Sequence, residues 1–177
     1  MNYCFLIVAP SGTGKDTVVN KLCEKYGYTK VKSYTTRPPR SRDISDKDNH
    51  IFITEEQYHA LPNKVATTFF DDNYYCATAE QVDNADFYIV DVEGVRTIKE
   101  NYKGDKQLKV IGLTIDDKTR KERMKHRGDS TRSIKSRIEN DKKMFKDFSS
   151  CVDVVFVNSD LDKCVKDIKQ YIESMQI

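Results

Sequence analysis

The chain has no apolar run of the roughly 18–20 residues that a membrane-spanning helix needs. Its first residues, Met1-Asn2-Tyr3-Cys4-Phe5, lack the basic stretch, apolar core and small-residue cleavage site of a secretory signal. No Cys-x-x-Cys pair and no Cys/His spacing of a zinc site occurs. Internal repeats, low-complexity tracts and Gly/Ser linkers are missing too. So is an excess of charge: 30 Lys and Arg stand against 28 Asp and Glu, a net of +2. These absences argue against a helical membrane protein, a zinc module and a protein that coats nucleic acid. They lead us to expect a cytoplasmic chain whose cysteines, at 4, 23, 76, 151 and 164, are reduced structural thiols. What remains is a polar globular chain of 177 residues, 38% hydrophobic and 33% charged, expected to form one domain. That length buries a sizeable core without disulfides.

Four short apolar runs read as strands: Tyr3 to Val8, Phe87 to Val92, Lys109 to Ile115 and Val152 to Val157. Each is followed by a polar segment with helical spacing. Strands alternating with helices predict an α/β fold with a parallel sheet covered on both faces. The nearly continuous apolar character of the strands fits burial on two sides. Residues 33–78 differ. Short runs such as His50-Ile51-Phe52-Ile53 and Ala66-Thr67-Thr68-Phe69-Phe70 alternate, which predicts a small antiparallel sheet in an inserted lobe. From Asp116 to Phe148 the chain is densely charged and helical by pattern. Val165, Ile168, Tyr171 and Ile172 mark one face of a last helix.

The sharpest motif is Ala9-Pro10-Ser11-Gly12-Thr13-Gly14-Lys15-Asp16-Thr17. It follows the first strand and opens a helix. Gly12 and Gly14 allow the backbone to aim successive N–H groups inward as an anion nest. The helix N-terminus adds partial positive charge, and Lys15 can reach the outer phosphates of a nucleotide. Ser11, Gly12, Thr13, Gly14, Lys15, Asp16 and Thr17 are therefore candidate nucleotide-binding residues. Ala9 replaces the usual first glycine, and Asp16 stands where a magnesium-binding hydroxyl is common. Asp16 is either a ligand of Mg²⁺, direct or through water, or a favourable acid in the first helical turn.

Further on, Arg37 and Arg40 share a loop stiffened by Pro38 and Pro39. Guanidinium forks suit a dianionic phosphate, and the prolines lower the cost of ordering them. A surface pair bridging to acids is the plainer alternative.

Ser33-Tyr34-Thr35-Thr36-Arg37-Pro38-Pro39-Arg40, about twenty residues after Pro10-Ser11-Gly12-Thr13-Gly14-Lys15, resembles the guanylate kinase family. Asn73-Tyr74-Tyr75 is similar to its NYYG. Asp91-Val92-Glu93-Gly94-Val95 resembles its Asp-x-x-Gly-Val region, and Arg127-Gly128 with Ile134-x-x-Arg137 its lid. Val157-Asn158-Ser159-Asp160-Leu161 matches its VNxDL. The landmarks run in family order along nearly the whole chain.

The resemblance implies a P-loop NTPase three-layer fold with a parallel core sheet (1–32, 79–117 and 148–177), a substrate lobe (33–78) and a helical lid (118–147). It implies a nucleoside monophosphate kinase that uses ATP and Mg²⁺ on a small-molecule acceptor, GMP or a relative, as a monomer or homodimer. Lys15, Arg37, Arg127 and Arg137 would be catalytic. Asn158 would join the ATP site, and Asp16 would be the metal residue. Ser33, Arg37, Arg40, His50, Tyr75 and Asp91 would bind the acceptor. The other basic residues of 118–137 are expected to be solvated.

The match thins where the family reads guanine. Its glutamate falls on Ala66, its small hydroxyl residue on Ala77, the NYYG glycine on Cys76, a tyrosine on His50 and an aspartate on Ile89. A shifted register would let Asp71 or Asp72 replace the carboxylate. Ribose 1,5-bisphosphate phosphokinases, which share the fold, resemble the chain at Gly14-Lys15-Asp16 and Asn49-His50-Ile51 and need no base reader. A non-catalytic guanylate-kinase-like module is a third reading. It is disfavoured because Gly12, Gly14 and Lys15 are intact.

Overall fold

Strand and helix alternate from the first residues onward. The computed structural model describes residues 2–39, 46–146 and 148–175. In chain order the elements are β1 (Tyr3–Val8), α1 (Lys15–Tyr26), β2 (Ser33–Thr35), α2 (Asp46–Asn49), β3 (His50–Phe52), α3 (Glu55–Ala60), β4 (Lys64–Phe70), β5 (Asn73–Thr78), α4 (Ala79–Asp83), β6 (Phe87–Ile89), α5 (Val92–Asn101), β7 (Gln107–Thr114), α6 (Asp117–His126), α7 (Thr131–Met144), α8 (Phe148–Cys151), β8 (Val154–Val157) and α9 (Leu161–Ser174).

A parallel four-stranded sheet has the order β6-β1-β7-β8. Its strands are the apolar runs expected from sequence, with shifted ends. β6 stops at Ile89 because Asp91 already caps α5: its side chain accepts the Gly94 N–H. β8 departs from burial on two sides. It lies at the sheet edge, and Val155 and Val157 are exposed.

The second sheet has the order β3-β2-β5-β4. It is mixed, not antiparallel throughout. β2 pairs with β5 antiparallel but with β3 parallel, in the register Ser33↔His50 and Thr35↔Phe52. The long connection from β2 to β3 permits this, since a parallel neighbour needs a crossover of about a dozen residues or more.

The chain divides into two compact units, Met1–Leu6 with Thr29–Lys109 and Ile7–Tyr28 with Val110–Ile177. In the first, Phe5 and Phe87 pack with ring centroids 5.9 Å apart, among fully buried Val82 and Ile98. In the second, α1 buries Val18, Val19 and Leu22, and α9 buries Cys164, Val165, Ile168 and Ile172. Those spacings put each set on one helical face. Each fully buried Leu or Ile contributes about 1.5–3 kcal/mol by leaving water. No disulfide joins the described cysteines. Burial lifts the thiols of Cys4, Cys76 and Cys164 to about 12, 11 and 11, as inert structural thiols require. No described helix is long and apolar enough to cross a membrane.

Candidate functional site

The phosphate loop lies in the second unit, between β1 and α1. Gly12 has φ 77° and Gly14 φ 90°, conformations that side chains resist. Space forbids a side chain as well. A Cβ at Gly12 would sit 2.7 Å from the Arg120 carbonyl oxygen, and one at Gly14 would sit 2.9 Å from Asn158 Nδ2. Side-chain oxygens cap α3, α4, α5, α6, α7 and α9 at their N-termini. Helix α1 begins at Gly14 with no side-chain cap, which leaves its first N–H groups for an anion. Lys15 Nζ lies 3.7 Å from the half-exposed carboxylate of Asp16. Two buried polar atoms here, Thr13 Oγ1 and Asn158 Oδ1, have no hydrogen-bond partner among the described residues.

Two arginines expected to be solvated are instead built into this loop. Arg120 is buried; its Nε donates to the Ser11 carbonyl at 2.8 Å and its guanidinium pairs with Asp141. Arg123 donates to the carbonyls of Thr13 and Asn158, both at 2.9 Å. The expectation failed because a basic helix carries no mark of which side faces a neighbour more than 100 residues away in the chain.

Arg127 and Arg137 do come together, through a residue the sequence reading passed over. Arg127 Nε donates to Asp129 Oδ1 at 3.1 Å, and Arg137 Nε lies 3.9 Å from Asp129 Oδ2. An acid two places after a candidate arginine was the available signal. Asn158 is nearly fully buried and donates from Nδ2 to the Thr13 carbonyl at 2.8 Å.

The candidate acceptor residues Ser33, His50 and Tyr75 lie in the first unit, on β2, β3 and β5. The β2–β3 register sets Ser33 beside His50, and Ser33 Oγ and His50 Nδ1 share a hydrogen bond of 2.9 Å. The His50 and Tyr75 rings lie 6.2 Å apart, and Tyr75 pairs with Thr35 across the sheet. Arg37 follows β2 after one residue, Thr36. Its guanidinium lies 5.5 Å from the Phe52 ring centre and donates to the Pro38 carbonyl at 2.8 Å. Ser33, Arg37, His50 and Tyr75 are thus gathered by one small sheet. Arg40 lies outside the described residues.

Asp91 joins the same unit by another route. Its Oδ1 accepts the Gly94 N–H at 2.6 Å and the Thr68 hydroxyl at 3.1 Å, and Thr68 stands opposite Tyr75 in the β4–β5 register. Burial pushes its carboxyl above the usual carboxylate range, and those two hydrogen bonds pull the other way.

The guanylate kinase family model matches residues 2–175. The chain belongs to the guanylate kinase family. Among its curated relatives, the guanylate kinase of Porphyromonas gingivalis is 29% identical, with 97% of each chain covered. That of Neisseria meningitidis is 27% identical over 98% of this chain and 88% of its own. In fold the chain is similar to the crystal structure of guanylate kinase from Anaplasma phagocytophilum. The TM-score is 0.64 at 20% identity, covering 99% of this chain and 87% of that one.

Against the guanylate kinase pattern, the thinned guanine-reading positions take definite structural places. Ala66 sits in a β-bulge: Val65 pairs with Ala77 and Thr68 with Tyr75, so two β4 residues oppose Cys76. Ala66 has φ 50° and is buried, and Ala77 is fully buried. Asp71 and Asp72 are the two turn residues of the β4–β5 hairpin, with φ 50° and 57°, between the paired Phe70 and Asn73. That is the conformation of a two-residue primed turn, so turn geometry accounts for both acids. No group of three or more His, Cys, Asp or Glu gathers among the described residues. Asp16 stands in the first turn of α1, a place that suits a first-turn acid and equally a single carboxylate beside Mg²⁺ held mainly by waters and substrate phosphates.

Proposed function

We propose that the chain is an ATP-dependent kinase that transfers the γ-phosphoryl group of ATP to GMP or a related nucleoside monophosphate. One observation carries the reading. A phosphate loop that keeps Gly12, Gly14 and Lys15, with both glycines in the left-handed region at the uncapped start of α1, occurs in a chain of the guanylate kinase family. A module that only binds proteins has no use for that loop.

In the proposed reaction an oxygen of the acceptor phosphate attacks the γ-phosphorus. The bond to the bridging oxygen breaks, and ADP leaves with the electron pair. The attacking group is already an anion, so no side chain has to act as a strong base. The chemistry is positioning and charge neutralisation. The N–H groups of the loop and Lys15 hold the donor phosphates, with Asn158 beside them. Ser33, Arg37, Arg40, His50, Tyr75 and Asp91 hold the acceptor. Arg127 and Arg137 place positive charge on the transferring group, a contribution that can reach roughly 10³–10⁵ in rate. Asp16 would help to hold Mg²⁺, which would supply neutralisation of phosphate charge. The substrates are small molecules, and a cytoplasmic location and a monomer or homodimer belong to the same reading.

A coupled ADP-release assay across GMP, dGMP, AMP, CMP, UMP and ribose 1,5-bisphosphate tests it. Turnover with GMP or another nucleoside monophosphate is expected. Turnover with ribose 1,5-bisphosphate alone would transfer the chain to the sugar-phosphate kinases.

A further inference from the structure

Every polar group of Ser11 is occupied by α6 or α7. Its N–H donates to Asp141 Oδ2 at 2.9 Å and its hydroxyl to Asp141 Oδ1 at 3.3 Å, while its carbonyl accepts from Arg120 Nε at 2.8 Å. Arg120 is held in turn by Asp141 and, through Nη1 at 2.8 Å, by Asp117. Two residues on, the Thr13 carbonyl accepts from Arg123 at 2.9 Å and from Asn158 at 2.8 Å. A peptide unit is planar and trans, so its C=O and N–H point in opposite directions. A Ser11 carbonyl fixed on Arg120 therefore turns the Gly12 N–H away from that guanidinium. A Thr13 carbonyl fixed on Arg123 does the same for the Gly14 N–H. Positive φ at Gly12 and Gly14 makes this alternation possible, and the side chains of α6 and α7 select it.

We propose that Arg120 and Asp141 are positioning residues: a buried ion pair that fixes the orientation of the Ser11–Gly12 peptide and thereby the anion-binding face of the loop. The proposal rests on the kinase reading above. It gives the expected lid a fixed part, since Arg120 near the start of α6 and Asp141 near the end of α7 are fastened to the loop. Arg127 and Arg137, nearer the α6–α7 turn, engage Asp129 instead.

The test uses the full chain with the pair replaced by apolar residues, Arg120→Met with Asp141→Leu. Such replacements of buried ion pairs commonly keep or raise stability, whereas removing one partner strands a buried charge. ADP affinity by calorimetry, KM for each substrate and the melting temperature are measured. The expected double variant melts within a few degrees of the wild type, binds ADP about 10- to 100-fold more weakly and raises KM for ATP in step. KM for the acceptor stays within about twofold. Wild-type ADP affinity in a folded double variant overturns the proposal, and so does an equal rise in both KM values. If the double variant does not fold, Asp141→Asn is read in the same way. It keeps the size of the side chain but opposes an amide N–H to the donors of Ser11 or Arg120. Wild-type protein that does not bind ADP would instead sink the kinase reading itself, a result distinct from a variant that binds as the wild type does.

Discussion

In the proposed reaction the phosphate loop and the acceptor strands grip anions by different means. The loop uses backbone N–H groups whose peptides are held from behind by Arg120, Arg123, Asp141 and Asn158. Little has to reorganise when a phosphate arrives, because the donors are already oriented. The strands use side chains at the ends of rotatable bonds: Arg37 after β2, His50 on β3 and Tyr75 on β5. Each can be exchanged without disturbing the backbone that carries it. The loop is therefore costly to alter and indifferent to what is attached to the phosphate. On the proposed function the strands, cheaper to alter, select the acceptor. Ala66, Ala77 and His50 depart from the family pattern on the acceptor side, while Gly12, Gly14 and Lys15 match the phosphate-loop pattern.

The largest effect expected from this contrast is on Lys15. Its side chain is partly exposed, and its contact with Asp16 at 3.7 Å is a weak surface pair. Lys15→Ala should fold with an unchanged melting temperature yet lose about 100- to 1,000-fold in kcat, the scale for removing one preorganised charge-stabilising group. Steady-state kinetics beside a thermal melt decide it. Wild-type turnover in the variant would remove Lys15 from the chemistry.

A smaller and more selective loss is expected at Arg37. A hydrogen bond to a charged group contributes about 1.5–3 kcal/mol. Arg37→Met should therefore raise KM for the acceptor about 10- to 150-fold and leave ADP affinity unchanged. Weakened ADP binding with an unchanged acceptor KM would put Arg37 on the donor side and break the comparison.

How much of this was legible in the sequence follows from distance along the chain. The loop could be read because its chemistry depends on consecutive residues, Ser11 to Thr17, between an apolar run and a helix. The parallel sheet could be read because β1, β6, β7 and β8 are apolar runs of strand length. The Arg120–Asp141 anchor could not. Its partner Ser11 is 109 and 130 residues away, and nothing in Lys118–Lys143 separates a buried arginine from a solvated one. The bulge at Ala66 was hidden as well, because no glycine marks its positive φ. Asp91 was ambiguous in principle. An Asp three residues before Gly94 suits both an N-cap and a ligand, and the structure gives it the cap.

Base selectivity sharpens the acceptor half of the contrast. With Ala66 and Ala77 offering no polar group, GMP should be preferred to AMP in kcat/KM by well below the roughly 10⁴ that a fully hydrogen-bonded site reaches. Ala66→Glu should raise that preference by about tenfold, near the low end for one charge-assisted hydrogen bond. The bulge limits the gain, since Ala66 is buried and a carboxylate that finds no partner there is destabilising. Competition assays with mixed GMP and AMP measure the ratio. Strong GMP selectivity in the wild type would assign guanine recognition to the backbone or to Ser33 and Asp91 alone.

The smallest effect concerns Asp91, and pH separates its two duties. Burial raises its folded-state pKa above the ordinary value of a carboxylate. Between the unfolded and the folded pKa the native state holds the extra proton, so this group stabilises the fold below its unfolded pKa. That contribution is lost as pH rises through the folded pKa. Above the folded pKa the ionised carboxylate is thus a cost that the Gly94 N–H and the Thr68 hydroxyl only partly offset. Asparagine caps a helix as well as aspartate and carries no charge. Asp91→Asn should therefore melt at or above the wild-type temperature at pH values where the carboxylate is ionised. The gap should close as pH falls into the carboxylate range. If Asp91 also touches the acceptor's base, KM for GMP rises in the same variant while KM for ATP holds. A variant that melts lower than the wild type by the same margin at every pH would show that asparagine does not replace aspartate at this cap and that there is no buried charge to relieve.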